Sequence, residues 1–125
     1  MNKAIIVSQT ESTADMLYCT LRSNGYSQIS VISSAAQARR TLLNTPPDIV
    51  IIDTPLMGEM GTELAETAAD YTNAVIILLC SRSVSEELAD KLSPYNILVL
   101  SKPLDSRTIS EGIRLLKADT ALISN

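Results

Sequence analysis

Five short apolar runs recur along the chain, and between them lie polar stretches in which apolar residues return every three or four positions. A continuous apolar run rich in β-branched residues suits a strand buried on both faces, and the three-to-four spacing suits an amphipathic helix. AIIVS at 4–8 reads as a first strand. Met16, Leu17, Thr20 and Leu21 then mark a helix that ends at Asn24-Gly25. Ile29 to Ile32 form a short second strand, and Ser33 or Ser34 caps a helix that runs through Leu42 and Leu43 until Pro46-Pro47 stops it. DIVIID at 48–53 is the third strand. A loop holding Pro55, Gly58 and Gly61 leads to a helix near 62–70, followed by AVIILLC at 74–80 and a helix near 84–92. ILVLS at 97–101 and a helix capped by Asp105, with Ile109, Ile113 and Leu116 on one stripe, complete the pattern. Such alternation predicts an α/β fold, a doubly wound five-stranded parallel sheet joined by right-handed crossovers.

Two charged residues stand at the ends of these runs. Asp53 closes the third strand, so its side chain is the first polar group to emerge at the carboxyl edge of the sheet, where open α/β sheets place their ligand sites. Lys102-Pro103 follows the fifth run in the same way. A carboxylate facing an ammonium across such a crevice has the makings of an acyl-phosphate acceptor, with the lysine pairing to the new phosphoryl oxygens. The plainer alternative is a polar cap and its salt-bridge partner.

Composition narrows the function classes. At 125 residues, with 46% apolar and 19% charged residues, the chain has room for one domain with a single core. Phe and Trp are absent, so aliphatic side chains fill that core and base stacking on nucleic acid has little support. A net charge of -4 opposes a phosphate-backbone binder, so no direct nucleic-acid contact by this domain is expected. The lack of histidine removes Ser-His-Asp catalysis, histidine metal sites and a phosphohistidine carrier role, so any phosphoryl group comes from outside. Cys19 and Cys80, far apart in apolar segments, read as buried free thiols. No secretory signal pattern and no apolar run of membrane-spanning length are present, so a cytoplasmic protein is the expectation.

With Asp53, Gly61 eight residues after it, and Lys102-Pro103 in register within five β/α units, the chain resembles the receiver domains of bacterial two-component response regulators over residues 2 to about 118. The resemblance implies a flavodoxin-like fold with strand order 2-1-3-4-5. It also implies phosphoryl acceptance at Asp53, assistance by Lys102, a loop glycine at Gly61 and a cis peptide before Pro103. Residues 2–118 would then be the receiver, and 119–125 a tail or the start of a linker helix. The stripe continues through Ala121-Leu122-Ile123 towards an output domain not present here. A looser similarity to receivers of antiterminator regulators suggests RNA-binding output, with DNA-binding output equally open.

The departures from that family matter as much. Its acidic pair after the first strand, which holds Mg²⁺, is replaced by Ser8 and Gln9. Mg²⁺ needs anionic oxygen ligands, and Asp53 with the carbonyl of Pro55 leaves too few, so weak Mg²⁺ binding at most is expected. Glu11 is the nearest substitute carboxylate, although an acid at a helix start more commonly complements the helix dipole. The family's hydroxyl switch at the end of strand four is Cys80, a poor donor, with Ser81 adjacent. Its aromatic switch three residues before the lysine is Val99, which has no ring to swing. Tyr95 reads as a loop aromatic covering the fifth strand.

Two functions follow from the resemblance. One is a non-enzymatic signal-receiving domain that takes a phosphoryl group from a histidine kinase or other phosphodonor and controls transcription or antitermination. The other is a phosphorylation-independent pseudo-receiver that serves as an interaction or homodimerisation module. A flavodoxin-like enzyme is disfavoured by the missing histidine and glycine-rich loops.

Overall fold

The computed structural model describes residues 2–56 and 61–124, with side chains described as far as residue 116. Its elements run β1 (Lys3–Val7), α1 (Glu11–Ser23), β2 (Gln28–Ile32), α2 (Ala35–Asn44), β3 (Ile49–Asp53), α3 (Gly61–Tyr71), β4 (Val75–Ser81), α4 (Arg82–Lys91), β5 (Ile97–Lys102) and α5 (Ser106–Ser124). The strands form one parallel sheet in the order β2-β1-β3-β4-β5, as the doubly wound reading requires.

Strand alternation divides the core into two layers. Ala4, Ile6, Ile49, Ile51, Ile77 and Leu79 face one side and pack under α1 and α5 through Leu17, Leu21, Ile109 and Ile113. Ile5, Val7, Val50, Ile52, Ile76 and Leu78 face the other and meet Leu42, Leu64 and Ala65 of α2 and α3. Every residue of β3 is buried, which explains why its sequence is continuously apolar up to Asp53.

Local signals account for the boundaries. Ser34 is the N-cap of α2, its side chain accepting from the Gln37 N–H at 3.2 Å. Gly25 sits just past α1 at φ +92°, a conformation that L side chains rarely adopt, so the Asn24-Gly25 stop signal has a backbone cause. Asp105 Oδ1 accepts from the N–H and the hydroxyl of Thr108 at 2.9 and 3.0 Å and so holds the first turn of α5. The expected helix near 84–92 begins two residues earlier, directly from β4, with Ser81 as its N-cap. The Ala121-Leu122-Ile123 stripe lies outside the residues whose side chains are described, although the α5 backbone continues to Ser124.

One expectation is corrected. Cys80 is buried, but Cys19 is exposed. On α1 the core-facing positions are Ala14, Leu17, Thr20 and Leu21, and Cys19 lies two residues from Leu17, which at 100° per residue turns it to the opposite face. The apolar neighbours in sequence belong to a different face of the same helix.

Candidate functional site

The carboxyl ends of β1, β3 and β5 meet at Asp53. The carboxylate belongs to a residue only 3% exposed, at the last position of the central strand. Lys102 reaches it from the end of β5, its Nζ 2.7 Å from Asp53 Oδ1, while the lysine side chain keeps 34% exposure. The ammonium lies off the direction of a well-formed hydrogen bond to Oδ1, so the contact is chiefly Coulombic. The same ammonium donates a close hydrogen bond to the carbonyl of Thr54. One of its three protons is thereby directed at the end of β3.

The other carboxylate oxygen is taken from the β1 side. Ser8, itself 4% exposed, donates from Oγ to Asp53 Oδ2 at 2.8 Å. Its oxygen also accepts from the Thr10 N–H at 3.2 Å and lies 3.2 Å from the Thr10 carbonyl. A hydroxyl has one proton, and the carboxylate is both nearer and charged, so that proton belongs to Asp53. Gln9 turns elsewhere, donating from Nε2 to the Ser33 carbonyl at 3.2 Å, which fastens the β1–α1 turn to the end of β2. Glu11 stands exposed in the first turn of α1.

The side chains that meet Asp53 are one neutral hydroxyl and one ammonium, and neither supplies an anionic ligand for magnesium. Among the described residues, no three His, Cys, Asp or Glu side chains gather around a common point. Near Asp53 the neighbouring donors are a neutral hydroxyl already committed to the carboxylate and an ammonium that repels a cation. Pro55, the other expected ligand, follows a cis Thr54-Pro55 peptide that nothing in the sequence pattern announced. The peptide before Pro103 is cis as the resemblance implied.

The remaining positions frame the site. A Cβ added to Gly61 would collide with Thr54 Cγ2, so the glycine lets α3 close against the end of β3. Thr54 is fixed in turn, its hydroxyl donating to the Leu79 carbonyl at 2.7 Å. Cys80 Sγ faces the Leu100 carbonyl at 3.8 Å rather than Asp53, and burial pushes its thiol up, partly offset by the Lys102 charge. Ser81 is exposed and pairs with Ser83. Val99 is half-buried against the α2–α3 layer, and Tyr95 packs there as well. Beside Lys102 opens a cavity of about 1450 Å³ walled in part by Met16, Leu56, Val84, Leu88 and Leu104. The sequence pattern missed this cavity, because its wall comes from four separate elements and loops.

No family model matches the chain. It is 27% identical over 113 residues to the transcriptional regulatory protein YvrH of Bacillus subtilis (strain 168), a match covering 88% of this chain and 46% of that protein. The chain thus spans about half the length of the curated relative it matches. Among solved structures it is similar to the signal receiver domain of a modulated diguanylate cyclase from Desulfovibrio desulfuricans G20, with 27% identity, a TM-score of 0.81 and 98% of both chains covered. It is also similar to a redox sensor of the streptococci described as evolved from two-component response regulators, with 16% identity and a TM-score of 0.83, over 99% of this chain and 54% of that one. The fold is that of a response-regulator receiver. In sequence and in structure the chain is thus similar to a transcriptional regulator and to response-regulator receiver domains. No helix among the described residues is long and apolar enough to cross a membrane.

Proposed function

We propose that this chain is the signal-receiving part of a longer transcriptional regulator, with Asp53 as phosphoryl acceptor and a metal site too poor to take part. The observation that carries the reading is the Asp53–Lys102 pair at the carboxyl end of the central strand, where opposite charges meet at 2.7 Å. In the reaction an Asp53 oxygen attacks the phosphorus of a phosphohistidine on a histidine kinase, or of another phosphoramidate. The P–N bond breaks, its electron pair leaves on nitrogen, and that nitrogen takes up a proton. Lys102 then pairs with the phosphoryl oxygens. Without a cation to neutralise charge, transfer is slow.

Residues 2–118 form the receiver in this reading, and 119–125 begin the connection to an output domain. The naming of YvrH as a transcriptional regulator supports control of transcription as the output, with binding to nucleic acid carried by the output domain and dimerisation by the receiver. The domain itself is a switch and not an enzyme, and it works in the cytoplasm.

A second reading has its own observation. Both oxygens of Asp53 are already engaged within the protein, by Ser8 and by Lys102, which favours a phosphorylation-independent interaction module. Intact mass after incubation with phosphoramidate separates the two. A phosphoryl mass gain that disappears in Asp53→Asn supports the acceptor reading, and no gain under any condition overturns it in favour of the second.

A further inference from the structure

We infer that Ser8 is a positioning residue that clamps Asp53, disfavouring a divalent cation at the site and tying any change at the carboxylate to the first turn of α1. The inference rests on the receiver reading of Asp53 and adds to it how the site is regulated.

The geometry makes Ser8 more than a shortened acid. Its Oγ stands between two groups, donating to Asp53 Oδ2 at 2.8 Å and accepting from the Thr10 N–H at 3.2 Å. Thr10 is the N-cap of α1, and its carbonyl receives the Ala14 N–H at 2.9 Å. The chain of bonds therefore runs from the carboxylate through one buried hydroxyl into the helix. A cation approaching Oδ2 from this side meets a proton and must break a charge-assisted hydrogen bond between two buried side chains. Phosphoryl transfer onto Oδ2 must break it as well, because the bridging oxygen of the acyl phosphate bears less charge and a bulkier substituent. On Oδ1 the same transfer would instead disturb Lys102, leaving Ser8 in place. The hydroxyl thus biases which oxygen reacts, slows the reaction, and transmits the loss of its own bond to Thr10.

The test uses the whole chain and its Ser8→Ala variant, with folding verified by circular dichroism. Removing the clamp is expected to raise both the rate of phosphoramidate labelling at Asp53 and the affinity for Mg²⁺ by about tenfold, the factor that roughly 1.4 kcal/mol represents. A spectral cycle checks the coupling separately. Asp53→Asn should move the Thr10 amide resonance in the presence of Ser8 and leave it nearly still in the Ser8→Ala background. Should Ser8→Ala fail to fold, Ser8→Gly takes its place, and an Asp53→Asn change that leaves Thr10 unmoved in the otherwise native chain overturns the clamp by itself. Equal labelling rates, equal Mg²⁺ affinities and equal Thr10 shifts with and without Ser8 overturn it while the receiver reading stands. No labelling in any variant, together with the Mg²⁺ gain and the Ser8-dependent Thr10 shift, overturns the receiver reading and leaves the clamp standing.

Discussion

Asp53 stands between two walls that have been treated differently. On the β5 side, Lys102 and a cis-linked Pro103 are present, and the ammonium is seated 2.7 Å from the carboxylate. On the β1 side, the positions that would carry acids hold Ser8, hydrogen-bonded to Asp53, and Gln9, turned away to Ser33. The lysine wall presents a positive charge to the carboxylate, and the β1 wall presents neutral groups. The carboxylate keeps one hydrogen bond, from Ser8 to Oδ2, and a Coulombic contact with the ammonium at Oδ1. The difference teaches that one sheet edge can set a charged wall and a neutral wall around a single buried carboxylate.

Removing the lysine wall should have the largest effect. Lys102→Met leaves Asp53 buried without its counter-charge, and urea unfolding near neutral pH should show a loss of about 2–3 kcal/mol, below the range for fully buried pairs because the ammonium is partly solvated. A loss no greater than that of Lys91→Met, an exposed lysine on α4, would mean that the pair contributes nothing. Adding Asp53→Asn to Lys102→Met should recover part of the stability, and strict additivity would count against contact.

The floor between the walls is tested by Gly61→Ala. Its Cβ would collide with Thr54 Cγ2, so a loss of about 1–3 kcal/mol is expected from forced movement of α3 or Thr54. Thr54→Ser removes the obstructing methyl and keeps the hydroxyl bonded to Leu79, so it should rescue much of the loss. Failure of that rescue would assign the cost elsewhere.

How far these features were legible in the sequence depends on how local their cause is. Strands β1, β3 and β4 were visible because burial on both faces leaves an unbroken apolar run, as in Ile49 to Ile52. Asp53 and Lys102 were visible because each ends such a run. The hydrogen bond from Ser8 was not, since it joins residues 45 apart and depends on a rotamer. The exposure of Cys19 was missed because helical phase, rather than the apolarity of sequence neighbours, decides which side faces the core. Gln9 could have been read as an absent ligand but not as a tether to Ser33, which requires the β1–α1 and β2–α2 turns to be adjacent in space.

Smaller effects sharpen the same contrast. Asp105 holds the start of α5, beyond the lysine wall, and its hydrogen bonds from Thr108 keep its carboxyl below the usual range. A depressed folded pKa gives stability that is present above the unfolded value and lost as pH falls through the folded one. Asp105→Ala should therefore be destabilising near neutral pH, with the difference from wild type vanishing on acidification through that titration; a pH-independent difference would assign the cost to something other than the carboxylate. Smaller still is the expected response at β5. Val99 is β-branched and half-buried, so beryllofluoride at Asp53 should shift amides in the turns after β1, β3 and β4 while residues 95–100 stay nearly unmoved. Broad shifts across α4, β5 and α5 would reveal a coupling that does not need an aromatic switch.

The contrast between the walls is tested most directly by titrating the native chain with Mg²⁺ and following the amides around Asp53, with a Ser8→Asp/Gln9→Asp chain alongside. That contrast predicts small, unsaturated shifts into the millimolar range for the native chain and clear, saturating binding once Ser8 and Gln9 are both replaced by Asp. Tight, saturable binding by the native chain would contradict it.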